Sequence, residues 1–383
     1  MIRVTDRAEF KAPTPALRIQ WLDGVRALAA IYVMLHHIWL GVYPQFPHDG
    51  GPWIVGWLLY GHLGVAVFIV VSGYSLMLQP LRHGGELNNG SKRFFRDRAW
   101  RILPPYWVSL GLSVFIVNVI TSPRSGGFVG VKGVVVHGLL LQDIIGSTNP
   151  NGAFWSIAVE CQIYLLFPLL LWLVRRKGVA TAAAVTTTLV TVGHLLAARV
   201  ALFQRINNLT PQLLILFVLG MAAASPSVQS RFAGRSLALS AGLWTVLIAT
   251  IAALGPVTTV ARYFWIDIAA GFVVGVTFIQ LTQRPRALPA RALSTRPLVE
   301  VGHLSYSLYL IHAPVLGIVY DYVVRPSTRT AEAAFLLSLV LAVPACMLSA
   351  YCFYRLFERP FLRRRSWQAW KEVLPTRESF SFS

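Results

Sequence analysis

Apolar runs long enough to cross a lipid bilayer recur along the whole chain, and no other feature constrains its fold as much. The hydrocarbon core of a bilayer is about 30 Å thick, so a helix rising 1.5 Å per residue needs roughly 20 apolar residues to span it. The runs predict an all-α fold, a polytopic membrane bundle of about ten helices. They fall at 25–43, 54–79, 103–121, 155–174, 178–201, 209–225, 236–254, 262–282, 302–324 and 332–357. Only 13% of the 383 residues are charged, which leaves no room for a large water-soluble domain.

Residues 131–147 are also apolar but short and glycine-rich, and read as a re-entrant or interfacial piece rather than an eleventh span. Charge tests that reading. With a cytoplasmic N-terminus and ten spans, 27 of the 34 Lys and Arg residues fall on the cytoplasmic side and seven on the other. That bias is the one the positive-inside rule requires, and it predicts both termini inside. An eleventh span would put Arg363, Arg364 and Arg365 outside. The net charge of +19 thus marks topology, not nucleic-acid binding, because the basic residues sit between apolar runs.

The expected organisation is a cytoplasmic segment over 1–20, a transmembrane domain over 21–362 and a basic tail over 363–383 that rests on anionic lipid. The first residues hold no short apolar core with a small-residue cleavage site, so no removable leader is expected. Cys161, Cys346 and Cys352 all lie in apolar runs, so neither a disulfide framework nor a metal site is expected.

An ionisable side chain inside a span is costly and marks a candidate site. The first helix carries Arg26 and, eleven residues on, His37. At 100° per residue that spacing is about 20° from three full turns, so the two share a face, about 16 Å apart along the axis. His36 is about 80° off that face. A snorkelling arginine and a histidine that bonds a neighbouring helix would show the same spacing, so a structural reading stays open here. The fourth helix carries Glu160, with Tyr164 one turn on, at a depth near that of His37. The ninth places Ser305, Tyr309 and His312 on one stripe, a pattern that also serves as packing glue. Between the second and third helices, Arg98 and Arg101 face one way, and arginine forks suit phosphate. Asp267 lies near the outer end of the eighth helix, where it either lines an acceptor path or pairs with Arg262.

Five segments in this order resemble the acyltransferase 3 family over residues 20–362. They are Leu22-Asp23-Gly24-Val25-Arg26 with His37, Val67 to Tyr74, Arg98 to Trp107, Trp155 to Glu160, and Ser305 to His312. A closing Glu358-Arg359-Pro360-Phe361 adds to the match. Ala27 stands where the family usually has glycine, Cys161 where it often has a second acid, and His36 where it usually has an aromatic or aliphatic residue.

The resemblance implies a membrane O-acyltransferase that moves an acyl group, acetyl above all, from cytoplasmic acyl-CoA to a hydroxyl of a carbohydrate or cell-surface polysaccharide. His37, Glu160 and Arg26 map onto the catalytic positions. Arg98 and Arg101, with Arg26, would hold the acyl-CoA; Tyr309, His312, Ser305 and Asp267 are candidates for the acceptor path. His37 would act as a general base with Glu160 orienting its ring, or would itself carry the acyl group. The expected setting is the inner membrane of a bacterium. Two other readings stay open: tailoring of a small glycosylated or polyketide product, since the chain shows no appended hydrolase-like domain, and a non-enzymatic exporter. An exporter would more typically show inverted repeats and broken helices, and the sequence displays neither.

Overall fold

The structure is a computed structural model and describes residues 19–48, 51–121, 128–232, 234 and 237–364. The basic residues of the N-terminal segment before 19 and of the tail after 364 lie outside the described residues. Helices account for nearly all regular structure among those described, and no strand occurs there. The long helices are α1 (Gln20–Val42), α2 (His62–Arg82), α3 (Gly90–Phe115), α4 (Phe154–Lys177) and α5 (Val179–Leu196). They continue with α6 (Gln212–Ala224), α7 (Leu237–Ala261), α8 (Tyr263–Gln283), α9 (Arg296–Val319) and α10 (Ala331–Phe353).

Among the described residues, nine helices are long and apolar enough to cross a membrane. Ala201–Asn207 and α6, bent by 55°, make a tenth if the pair is counted as one broken span. The all-α polytopic expectation is met. The break corrects the expectation of unbroken helices, and its cause is local. Pro211 caps α6, and Thr210 before it takes a positive φ of 50°, which a helix cannot continue through.

The third helix begins at Gly90, not near 103, so Arg98 and Arg101 lie within it and not in the loop before it, and the ninth begins at Arg296, not near 302. Three further expectations change for local reasons. The second helix begins at His62, not near 54, because Gly56–Tyr60 closes as a tight 3-10 turn. The seventh resumes after a kink at Gly255 (φ 70°) and Pro256 and runs on to Ala261. Residues 131–147 form only the eight-residue helix Val131–Gly138, too short to cross. Its last carbonyls are capped by side chains: Tyr106 Oη donates to the His137 carbonyl and Trp107 Nε1 to that of Gly138, both at 2.9 Å.

The chain divides into two compact units. The first holds residues 1–90 and 156–303. Its centre is the packing of α2 on α6, with α1 and α8 also on α2, and α5 and α8 on α6. Leu213, Ile215, Leu216, Phe217, Val218 and Met221 of α6 are all buried, and a helix apolar on every side belongs in a core. Close approach of α2 and α6 depends on two glycines. A Cβ at Gly73 would sit 1.9 Å from the Phe217 carbonyl oxygen, and one at Gly220 would sit 2.2 Å from that of Val70. Small residues let helix backbones meet in this way inside a membrane. By contrast, only 17% of the best apolar window of α5, and of α7, is buried, so both present their apolar surface outward as lipid-facing helices do.

The second unit holds residues 91–155 and 304–383, with α3, α10 and the greater part of α9. Pro314 has no N–H to give the Leu310 carbonyl one turn back. Ser109 Oγ and Asn151 Nδ2 supply the missing donors, each at 2.9 Å. A proline in a membrane helix is tolerated when side chains repair the ladder in this manner.

Candidate functional site

Arg26, His37 and Glu160 all lie in the first unit. Arg26 is held from two sides: Nη1 donates to Asp23 Oδ1 at 3.0 Å and Nη2 to Ser75 Oγ at 2.7 Å. Asp23 is buried and has a second neighbour, His303, whose Nε2 lies 3.9 Å from Oδ2. Gly24 is required beside it, since a Cβ there would lie 1.9 Å from the Leu293 carbonyl oxygen. A guanidinium fixed by a carboxylate and a hydroxyl is a positioned cation, not a loose snorkelling one.

His37 Nδ1 lies 2.9 Å from the Val33 carbonyl oxygen one turn back. A carbonyl only accepts, so this contact assigns the proton to Nδ1 and leaves the lone pair of a neutral ring on Nε2. His36, the neighbour that helical phase sets aside, is buried, with Nδ1 2.7 Å from the Leu58 carbonyl oxygen. It packs so closely on Gly61 that a Cβ there would meet its own Cβ at 2.1 Å. The two imidazoles touch edge to face, with ring centres 5.4 Å apart.

Glu160 Oε1 accepts from Ser72 Oγ at 2.8 Å and from Tyr164 Oη at 2.5 Å. Ser72 and Tyr164 are themselves 2.7 Å apart, which closes a triangle of two hydroxyls and a carboxylate. The Val33 carbonyl orients the His37 ring through Nδ1.

Asp267 is fully buried and does not pair with Arg262. His62 Nε2 lies 3.0 Å from its Oδ2, and Gln212 Nε2 donates to the same oxygen at 3.1 Å.

Arg98 and Arg101 stand in the second unit. Arg98 is half-buried, its guanidinium 6.0 Å from the centre of the Phe94 ring, while Arg101 is exposed. Ser307 Oγ donates to the buried Glu358 Oε2 at 2.5 Å, and that carboxylate interacts electrostatically with Arg101. Ser305, Tyr309 and His312 are buried in the same unit. The His312 ring bonds its own helix, Nδ1 lying 2.8 Å from the Tyr309 carbonyl oxygen, and Tyr309 packs on it at 5.7 Å. The stripe therefore serves packing in part. A cavity of about 230 Å³ opens one turn further on, lined by Asn149, Asn151, Pro314, Gly317 and Asp321 among others.

Sequence reasoning missed Asp23, Ser72, Ser75, His62 and Gln212 as partners. Asp23 was within reach, since three residues separate it from Arg26 on one helix. Ser72, Ser75, His62 and Gln212 act across helices, and no spacing within one segment reveals them.

Comparison with known proteins agrees with the motif order. A family model described as an acyltransferase domain, Acyl_transf_3, matches residues 19–355. O-acetyltransferase OatA of Staphylococcus aureus (strain MRSA252) is 23% identical over 94% of this chain and 59% of its own length. Peptidoglycan O-acetyltransferase OatA of Listeria monocytogenes is 25% identical over 88% of the chain and 55% of its own length. A putative peptidoglycan O-acetyltransferase of Bacillus subtilis, YrhL, is 26% identical over 78% of the chain and 48% of its own length. The chain thus spans about half the length of the curated relatives it matches. No solved structure matches it.

Proposed function

The chain belongs to the acyltransferase 3 family, and from that premise we propose that it is a membrane O-acyltransferase. It moves an acetyl group from acetyl-CoA on the cytoplasmic side to a hydroxyl of a carbohydrate or cell-surface polysaccharide. The names of its relatives support acetyl as the group and a peptidoglycan-like carbohydrate as the acceptor. The uneven split of Lys and Arg supports a bacterial inner-membrane setting with both termini in the cytoplasm.

The observation that carries this reading is the His37 ring. With Nδ1 on the Val33 carbonyl, Nε2 keeps the lone pair needed to take a proton or an acyl group. It stands on the same helix face as Arg26. Arg26, fixed by Asp23 and Ser75, guides the pantetheine arm of the donor inward. Arg98 and Arg101 hold the CoA phosphates through charge-assisted hydrogen bonds. Glu160 supplies the negative charge that balances a cationic imidazole, with its geometry set by Ser72 and Tyr164.

Membranes holding the wild-type chain or His37→Ala, given radiolabelled acetyl-CoA, test the proposal. Incorporation into carbohydrate should fall by about 10³-fold or more in the variant, the scale of a lost acid–base or nucleophilic group. Normal incorporation by His37→Ala would overturn it.

A further inference from the structure

Three helices of the first unit meet at a second buried acid–base pair that the proposed function leaves unused. His62 opens α2, Asp267 lies in the second turn of α8 and Gln212 opens α6. His62 Nε2 is 3.0 Å from Asp267 Oδ2, and Gln212 fixes that oxygen from the other side at 3.1 Å. An imidazole with one N–H on a buried carboxylate is the orienting half of a hydrolase triad. The carboxylate sets the tautomer, so in the neutral ring Nδ1 keeps the lone pair. The His62 side chain is 16% exposed, while that of Asp267 is 0% exposed. The base is thus within reach of a ligand and its counter-ion is not.

Packing alone accounts poorly for this pair. Apolar side chains of the same volume would join three helices at less cost than a desolvated carboxylate. A pair built for packing would also satisfy both carboxylate oxygens. Asp267 Oδ1 is buried with no hydrogen-bond partner among the described residues, and so is the hydroxyl of Tyr263, whose ring stacks on His62 at 4.4 Å. That unmet capacity beside the pair suits a hydroxyl-rich ligand. His36 connects this pair to His37, its ring lying 5.4 Å from that of His37. The α1 turn bearing His36 and His37 lies directly against Gly61, the residue before His62, and His36 interacts electrostatically with His62.

We propose that His62, held by Asp267, is the base that takes the proton of the acceptor hydroxyl, while His37 carries the acyl group. This rests on the role of His37 in the proposed function and decides between its two forms. In the first half-reaction His37 Nε2 bonds the thioester carbonyl carbon and the C–S bond breaks. The CoA thiolate takes a proton from water, and the acyl ring is left cationic with its Nδ1 proton. In the second half the acceptor oxygen bonds the acyl carbon and the C–Nε2 bond breaks. The hydroxyl proton passes to His62 Nδ1, and from there to water. His37 returns to neutral, and the charges balance at each step. The charged and titratable groups around His62 include His36 and Tyr32 from α1, Tyr60 from the preceding turn, and Tyr263 and Asp267 from α8; Gln212 of α6 is neutral.

The test separates the two halves on the full-length purified chain. Radiolabelled acetyl-CoA is added first, and labelled enzyme is measured. Release of the label is then followed into water and into a soluble N-acetylglucosamine oligomer. Wild type should label, and His37→Ala should not; a wild type that transfers without labelling would overturn the carrier role, and this proposal with it. His62→Ala, His62→Gln and Asp267→Asn should label normally but release the label about 10²-fold more slowly. Their release should lose its rise with pH, and added imidazole should restore part of the rate in His62→Ala. Labelling and release that fall together in these variants, without imidazole rescue, would assign the pair to packing and overturn the proposal while leaving His37 in place.

Discussion

Glu160 and Asp267 are two carboxylates in one unit, and each concentrates its hydrogen bonds on one oxygen. The donors differ. Glu160 Oε1 takes two hydroxyls, from Ser72 and Tyr164, and neither changes charge in the physiological range. Asp267 Oδ2 takes an imidazole and an amide, and the imidazole is the one side chain whose ordinary pKa lies near neutrality. The first arrangement fixes a charge in place; the second couples a charge to a proton. Asp23 offers a third arrangement, a carboxylate spent on a permanent cation, Arg26. The partner, more than the carboxylate, decides what each acid can do.

Charge removal with hydrogen bonds kept is the sharpest way to break the contrast. Glu160→Gln retains an oxygen for Ser72 and Tyr164 but loses the charge. It should slow loading of the acyl group by about 10²-fold, the scale of a lost electrostatic stabiliser, and spare release. Labelled-enzyme formation from acetyl-CoA measures the first and its decay the second. If Glu160→Gln behaved as Asp267→Asn does, the two carboxylates would not be distinct.

Next in size is Asp23→Asn. It loosens Arg26 without removing it, so the KM for acetyl-CoA should rise about tenfold with kcat little changed, because uniform binding is what is lost. Steady-state kinetics over acetyl-CoA concentration reads that split. Ser72→Ala removes one of two donors to Glu160 and should cost about tenfold in loading, since a hydrogen bond to a charged group contributes roughly 1.5 kcal/mol at the low end and Tyr164 keeps its own. A loss as large as that of Glu160→Gln would show that the triangle acts as one unit.

The smallest effect belongs to a carboxylate outside the spans. Asp143 lies in the turn after the Val131–Gly138 helix, and its Oδ2 is buried without a hydrogen bond among the described residues. Burial pushes its carboxyl up to about 6. The folded state therefore binds this proton more tightly than the unfolded chain does. Its stability is whole below the ordinary carboxylate range, declines as pH rises towards 6, and carries a constant cost above that. Asp143→Asn should raise Tm by about a degree or two at pH 8 and leave it unchanged at pH 4, as thermal unfolding at both pH values will show.

Much of this was legible in the chain itself. Hydropathy located each of the nine helices that are long and apolar enough to cross a membrane among the described residues, because a bilayer imposes one length and one polarity on whatever crosses it. Charge counting rejected 131–147 as a span, and the helix there proves to be eight residues long. Helical phase separated His37 from His36, and the structure gives them different work. His36 packs on Gly61 and bonds the Leu58 carbonyl, across from its own helix, while His37 turns Nδ1 back to Val33 on the same helix. Helix starts were less legible. His62 read as the interior of a span because residues 54–60 are apolar, yet that stretch closes as a 3-10 turn and leaves His62 at the mouth of α2.

The sequence by itself determined the all-α membrane architecture, the motif order that marks the family, and the face shared by Arg26 and His37. Each is a property of one segment and one period, and so can be read along the chain. Only the tertiary structure decided which acid serves which base. Glu160 meets Ser72 across 88 positions, and Asp267 meets His62 across 205. Such pairs exist only once helices pack, since inside a membrane a polar group must find its partner on a neighbouring helix, and packing, not sequence distance, settles which neighbour that is.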